Sequence, residues 1–229
     1  SSSSAASDVY KRQIKDLAID SWRADSYSPS YNIAPSQFSP ILIKEDSLKV
    51  IKNMQWGLSS NVVSNYYKPI NIRLETLLKK GYYQNLVSNG RCVVLSSGYY
   101  EWVNLNGQKI PYYFQFKNRS IIKIAGLWTA LKSSQGISYT YAIVTTNAQS
   151  EIKHLHHRMP LILDELSADD WVKNKGTKEQ NLIANQNDTN EMKLHFFTVS
   201  NLVNSPRNNT HNCIKPFEYS FPVSYTHLT

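Results

Sequence analysis

Apolar residues along this chain fall mostly into short runs rather than long stripes. Runs rich in β-branched and aromatic residues recur at Pro40–Lys44, Leu48–Trp56, Arg91–Leu95, Pro111–Phe116, Ile121–Trp128 and Ser138–Thr145. Runs of this length, bounded by turn formers, read as strands. Asn106-Gly107 lies between the third and fourth runs and suits a tight turn, because both residue types tolerate positive φ. The spacing changes from Leu74 to Leu86, where Leu74, Leu77, Leu78 and Leu86 follow a helical period that Gly81 interrupts, predicting one helix. A shorter helix is predicted to start at Ser167-Ala168-Asp169-Asp170-Trp171, where a serine cap and following acids would satisfy the exposed amide end. Residues 173–192, rich in Lys, Asn, Gln and Thr, read as a helix fragment and a solvated loop. Strands dominate without regular βαβ alternation or an internal repeat. The expected fold is therefore α+β, a single domain with a curved, largely antiparallel sheet and a few short helices.

Composition narrows the class of protein. A chain of 229 residues with 41% apolar and 12% aromatic residues can bury one sizeable core. No stretch approaches the roughly 20 consecutive apolar residues of a membrane span, and the first residues lack the apolar centre of a secretory signal. The expectation is an intracellular protein, nuclear if eukaryotic and otherwise cytoplasmic. Cys92 and Cys213 lie far apart with no CxxC pair, which argues against a disulfide scaffold or a structural zinc site and predicts two buried thiols. His154, His156 and His157 invite a metal reading, but no helical i, i+4 pair or nearby acid completes a ligand set, so neither metal nor cofactor is expected. A formal charge of +8 and a pI near 9.3 favour polyanionic partners through counterion release, without specifying one.

The two ends look foreign to the rest. Asp8-Val9-Tyr10-Lys11-Arg12-Gln13 can be encoded by GAT GTG TAT AAG AGA CAG. The reverse complement, in a shifted frame, encodes Val-Ser-Tyr-Thr-His and a codon that can be Leu, matching Val223 to Leu228. One DNA element in opposite orientations accounts for both, and it resembles the transposon end attached during sequencing-library preparation. Residues 1–13 and 222–229 are accordingly read as adapter sequence, leaving 14–221 as a domain expected to lack its N-terminal segment.

Chemistry concentrates in four segments: Tyr31-Asn32-Ile33-Ala34-Pro35, Asn71-Ile72-Arg73-Leu74-Glu75-Thr76, Gly98-Tyr99-Tyr100-Glu101-Trp102 and His156-His157-Arg158-Met159-Pro160. With Met54-Gln55-Trp56-Gly57-Leu58 and Ala125-Gly126-Leu127-Trp128, in this order and at these separations, the chain resembles the SRAP (SOS-response-associated peptidase) family from about Tyr31 to Pro216. The segment Val203 to Thr210 resembles eukaryotic members more than bacterial ones. The resemblance implies a monomeric sensor that captures abasic sites in single-stranded DNA, processes its own N-terminus and carries a strand-cleaving lyase activity. In the family, the mature chain begins Cys-Gly-Arg. An α-amine of pKa roughly 7.7 to 8.0 is partly neutral at pH 7 and can form a Schiff base with the lesion aldehyde, after which the thiol closes a thiazolidine. Neither Cys92 nor Cys213 carries a free α-amine, so neither can substitute for that residue.

By the same resemblance Glu101 is the catalytic glutamate. Alone it would read as a strand-edge carboxylate paired to a lysine, although flanking Tyr100 and Trp102 could desolvate it and raise its pKa. His154, His156 and His157 are equivalent by residue type; alignment of His-x-Arg-Met-Pro selects His156 as the donor of a proton to the sugar oxygen. Asn71, otherwise a turn residue, matches the asparagine that holds the terminal amine. Arg73 and Arg158 match arginines that grip phosphates. Asn32 and Pro35 shape a loop at the DNA cleft, with Pro35 as an apolar wedge. Trp56 and Trp128 read as core, and Tyr66 or Tyr67 as a base-stacking platform where the chain departs from the family's Pro-x-Trp pattern. Two other classes remain open: a noncatalytic reader of damaged or modified DNA, and a protease acting on other proteins.

Overall fold

The computed structural model describes residues 18–24, 28–59, 68–79, 81–118, 121–173 and 193–220. In chain order its strands are β1 (Ser21–Arg23), β2 (Phe38–Glu45), β3 (Leu48–Trp56), β4 (Asn71–Arg73), β5 (Arg91–Ser96), β6 (Tyr99–Leu105), β7 (Gln108–Phe116), β8 (Ile122–Ser133), β9 (Gly136–Asn147), β10 (Arg158–Pro160), β11 (Ile162–Leu163) and β12 (Leu194–Thr198). The helices are α1 (Leu74–Lys79), α2 (Gln84–Asn89) and α3 (Glu165–Val172). This is the expected α+β fold, and most pairings are antiparallel.

The apolar runs are continuous because the strands they form are buried on both faces. Alternate residues then enter different cores. In β2, Leu42 joins one cluster while Ile41 and Ile43 join another; in β5, Val93 and Leu95 separate from Cys92 and Val94 in the same way. The first cluster includes Leu74, Leu77, Val87 and Trp171 from the helices; the second includes Phe114 and Phe116 of β7. Hydrogen bonding runs β3-β2-β5-β8-β9 and returns from β9 to β3, closing this sheet on itself, while β12-β7-β6 form a separate sheet. Cys92 and Cys213 are both buried, as expected.

Two of the two-residue hairpin turns have positive φ at both positions. Asp46-Ser47 joins β2 to β3 and Asn106-Gly107 joins β6 to β7, with φ of 47°, 73°, 51° and 83° respectively. Positive φ at both central positions gives a turn whose twist matches that of the strands.

Two helix expectations are corrected. The single helix from Leu74 to Leu86 is two short helices separated by a 3-10 turn, Gly81–Tyr83, at the glycine that weakens the helical period. The later helix starts at Glu165, not Ser167: Asp164 is its cap, and its carboxylate accepts the Ser167 amide at 2.7 Å. Residues 1–13, 174–192 and 222–229, with Tyr66 and Tyr67, lie outside the described residues.

Strand β9 gathers segments from distant parts of the chain. Its end pairs with β4 in parallel, Asn71↔Ile143 and Arg73↔Thr145, and with β10 antiparallel, Arg158↔Asn147. Arg73 and Arg158 thereby lie beside the same few residues. Among the described residues, no helix is long and apolar enough to cross a membrane.

Candidate active site

All seven residues singled out from the sequence, Asn32, Pro35, Asn71, Arg73, Glu101, His156 and Arg158, line one cavity of about 690 Å³. They reach it from β4, from β6 of the smaller sheet, from β10 and the turn leading into it, and from the loop before β2.

Alternation along β6 places Tyr99 and Glu101 on one face and Tyr100 and Trp102 on the other. The second pair fastens the strand: Tyr100 Oη donates to the Tyr31 carbonyl at 2.6 Å, and Trp102 Nε1 donates to Asn204 Oδ1 at 2.7 Å. Glu101 Oε1 lies 3.6 Å from His156 Nε2, with both side chains partly shielded from water. Burial pushes the Glu101 carboxyl above the ordinary carboxylate range, and the neighbouring His156 and the Trp102 amide only partly oppose it. At 3.6 Å the pair is longer than a good hydrogen bond, leaving each group able to engage a ligand between them.

The three neighbouring histidines have different surroundings. His154 packs near Phe196 at 6.3 Å between ring centroids, and His157 lies 4.8 Å from the His156 ring. His156 faces Glu101 and presents Nδ1 to the Arg158 backbone, 2.9 Å from its carbonyl and 3.2 Å from its amide.

Asn71 and Arg73 share the exposed face of β4, with Ile72 buried between them. Neither side chain makes a hydrogen bond to another described residue. Arg158 differs sharply. Its Nη1 donates to Glu75 Oε1 at 2.8 Å and Asn147 Oδ1 at 2.8 Å; its Nη2 donates to Glu75 Oε2 at 3.1 Å and the Thr145 carbonyl at 2.8 Å. All four terminal hydrogens are thus engaged, and Nε is buried without a partner among the described residues. An arginine fork already filled by internal acceptors is a brace, and it can grip a phosphate only by releasing one of them.

Asn32 is also turned inward. It is 4% exposed, and its Nδ2 lies 3.0 to 3.1 Å from the carbonyls of Val203, Ser205 and Asn208. It shapes the cleft, as the sequence suggested, by clamping two loops together; its amide hydrogens are not free for DNA. Pro35 is exposed at the turn before β2.

A family model described as "SOS response associated peptidase (SRAP)" matches residues 2–206. The chain belongs to the SRAP family. It is 32% identical over 208 residues to "Abasic site processing protein YoqW" of Bacillus subtilis, covering 88% of this chain and 93% of that one. It is 30% identical over 239 residues to "Abasic site processing protein HMCES" of Gallus gallus, covering 87% and 70%. Among solved structures, a Bacteroides thetaiotaomicron protein superposes with a TM-score of 0.67 at 25% identity, covering 80% of this chain and 82% of that one.

For this SRAP chain, sequence reasoning overlooked residues that brace the lining of the cleft from behind. Asn209 Oδ1 accepts the Tyr31 amide at 2.6 Å and the Ser30 hydroxyl at 3.1 Å, so residues from both ends of the domain make one rim. No local pattern signals that contact. Glu75 lies within the Asn71 to Thr76 motif, two residues after Arg73, and a carboxylate so near a motif arginine was the available hint.

Proposed function

We propose that this cleft binds single-stranded DNA at an abasic site and that the intact protein, acting as a monomer, forms a thiazolidine crosslink to it through an N-terminal cysteine, after self-processing of its N-terminus. The observation that carries this reading is the Glu101–His156 pair, 3.6 Å apart in the cavity that Asn71 and Arg73 also line. The names of the relatives agree with abasic-site chemistry.

The chemistry follows from the groups present. Protonated His156 gives the Nε2 proton to the sugar ring oxygen as the abasic sugar opens to its aldehyde. The α-amine adds to that carbon, and loss of one water leaves a Schiff base. The cysteine sulfur then bonds to the imine carbon while its proton passes to the nitrogen, closing the thiazolidine. Glu101, with a carboxyl raised by burial, shuttles protons through the addition and water-loss steps. Asn71, with an amide that is both donor and acceptor, orients the amine, and Arg73 holds a flanking phosphate. With contacts to phosphate and no base to read at the lesion, little base preference is expected.

The test is the chain preceded by a family-like segment starting Met-Cys-Gly-Arg, incubated with single-stranded DNA carrying one abasic site and run on a denaturing gel. A shifted band that disappears when that cysteine is replaced by serine supports the reading. No band from a folded protein that still binds the DNA reversibly would favour a noncatalytic reader instead.

A further inference from the structure

The geometry points to Glu75 as a positioning residue: through the Arg158 fork it holds the backbone that sets which nitrogen of His156 carries the proton. The inference rests on the proposed role of His156, but its test does not.

Glu75 is in the first turn of α1, directly after the β4 residues Asn71 and Arg73. Its two carboxylate oxygens take one hydrogen from each terminal nitrogen of Arg158, at 2.8 and 3.1 Å. This two-point pairing fixes the plane of the guanidinium as well as its distance. Asn147 Oδ1 and the Thr145 carbonyl take the other two terminal hydrogens, tying the same guanidinium to the end of β9. Three residues from two segments therefore hold one side chain, and the Arg158 arm of this pair is well shielded at 13% exposure.

The backbone of that same residue contacts His156. Nδ1 is 2.9 Å from the Arg158 carbonyl and 3.2 Å from its amide. The Arg158 amide N–H is directed at Nδ1 and competes with the carbonyl for it, but the carbonyl is nearer, so we take Nδ1 as donor to the carbonyl; that leaves Nε2, the nitrogen facing Glu101 at 3.6 Å, to gain or lose the mobile proton. After proton transfer to the sugar, the neutral ring is left protonated at Nδ1, already matched to its acceptor. If Arg158 loses its anchor, the His156 ring loses the fixed carbonyl that selects this form.

The experiment uses the ¹⁵N-labelled chain and the imidazole signals in a long-range ¹H–¹⁵N spectrum, recorded where the histidines are neutral, with His156→Asn assigning the resonances. For wild type the expected result is a protonated Nδ1 and a bare Nε2. In Glu75→Gln the two nitrogen shifts should converge, reporting mixed tautomers, and Glu75→Asp should restore part of their separation. Asn147→Ala, which removes one anchor and leaves Glu75 in place, should cause a smaller convergence and serves if Glu75→Gln does not fold. An unchanged Nδ1–Nε2 separation in folded Glu75→Gln, or in folded Asn147→Ala should that be the only folded variant, would overturn the inference. So would a wild-type ring protonated at Nε2. Absence of crosslinking with the tautomer response intact would instead overturn the proposed function alone.

Discussion

Glu101 lines the cleft and Glu75 pairs with the cleft residue Arg158, and the surroundings of the two carboxylates push them in opposite directions. Hydrogen bonding to Arg158 holds Glu75 below its ordinary range, whereas burial lifts Glu101 above it. The folded state therefore gains from ionised Glu75 above the unfolded carboxyl pKa of about 4.3, and loses that gain as pH falls through the depressed folded value. For Glu101 the sign reverses: stability is greatest below about pH 4 and declines as pH rises toward the raised folded value. Thermal unfolding from pH 3 to 8 should show Glu101→Gln melting above wild type at neutral pH, with the difference fading at low pH. Glu75→Gln should be the less stable chain at neutral pH and converge with wild type in acid. In the chain with the cysteine start, Glu101→Gln should slow crosslinking by about 10²-fold, the loss typical of an acid–base group, when band formation is followed over time.

At the level of elements, the cleft depends on how β6 and the loops beside it are fastened. Gly98 precedes β6 where an added Cβ would stand 2.3 Å from Tyr113 Cζ and 2.5 Å from the Phe114 carbonyl oxygen. Backbone cannot yield as a flexible side chain can, so Gly98→Ala should destabilise by about 1–3 kcal/mol, read from urea unfolding midpoints. Gly107 provides the comparison: an added Cβ meets nothing within 4 Å, but φ is +83°, and Gly107→Ala should cost about 1 kcal/mol through backbone strain alone. Asn32→Ala removes the shared donor of three loop carbonyls, a loss of about 2 kcal/mol that should lower the melting temperature by about 4–8 °C. Its effect on crosslinking should follow from a loosened rim, since Asn32 presents no free amide hydrogen to DNA.

For the whole molecule, a net charge of +8 is a general attraction, and the structure divides the arginines that could make it specific. Arg73 is exposed on β4, while the Arg158 fork is filled by Glu75, Asn147 and Thr145. Reversible binding to single-stranded DNA, titrated at several salt concentrations, should show Arg73→Ala reducing the log–log salt slope by about 0.7, the contribution of one phosphate contact. Arg158→Ala should leave that slope nearly unchanged and lower stability instead, because it strips Glu75 of its shielded partner. An equal fall in slope for both variants would show that Arg158 leaves its brace when DNA binds.

Much of this molecule was legible in order along the chain. Hydrophobic period marked the principal core strands, because burial on both faces demands continuous apolar runs, and Asn106-Gly107 marked a turn through its backbone tolerance. Ordered motifs identified the family and the residues that line the cavity. Strands of two or three residues such as β1, β4 and β10 carry too little period to be recognised, and their existence depends on the partner strand. The motif had selected His156 from its neighbours, but tertiary structure alone decided that it faces Glu101, that Arg158 is paired within the protein, and that Asn32 joins loops more than 170 residues away in the chain. The reason is physical: a local pattern records which residues avoid water, whereas the partner of a polar side chain is set by the strands and loops that folding brings beside it.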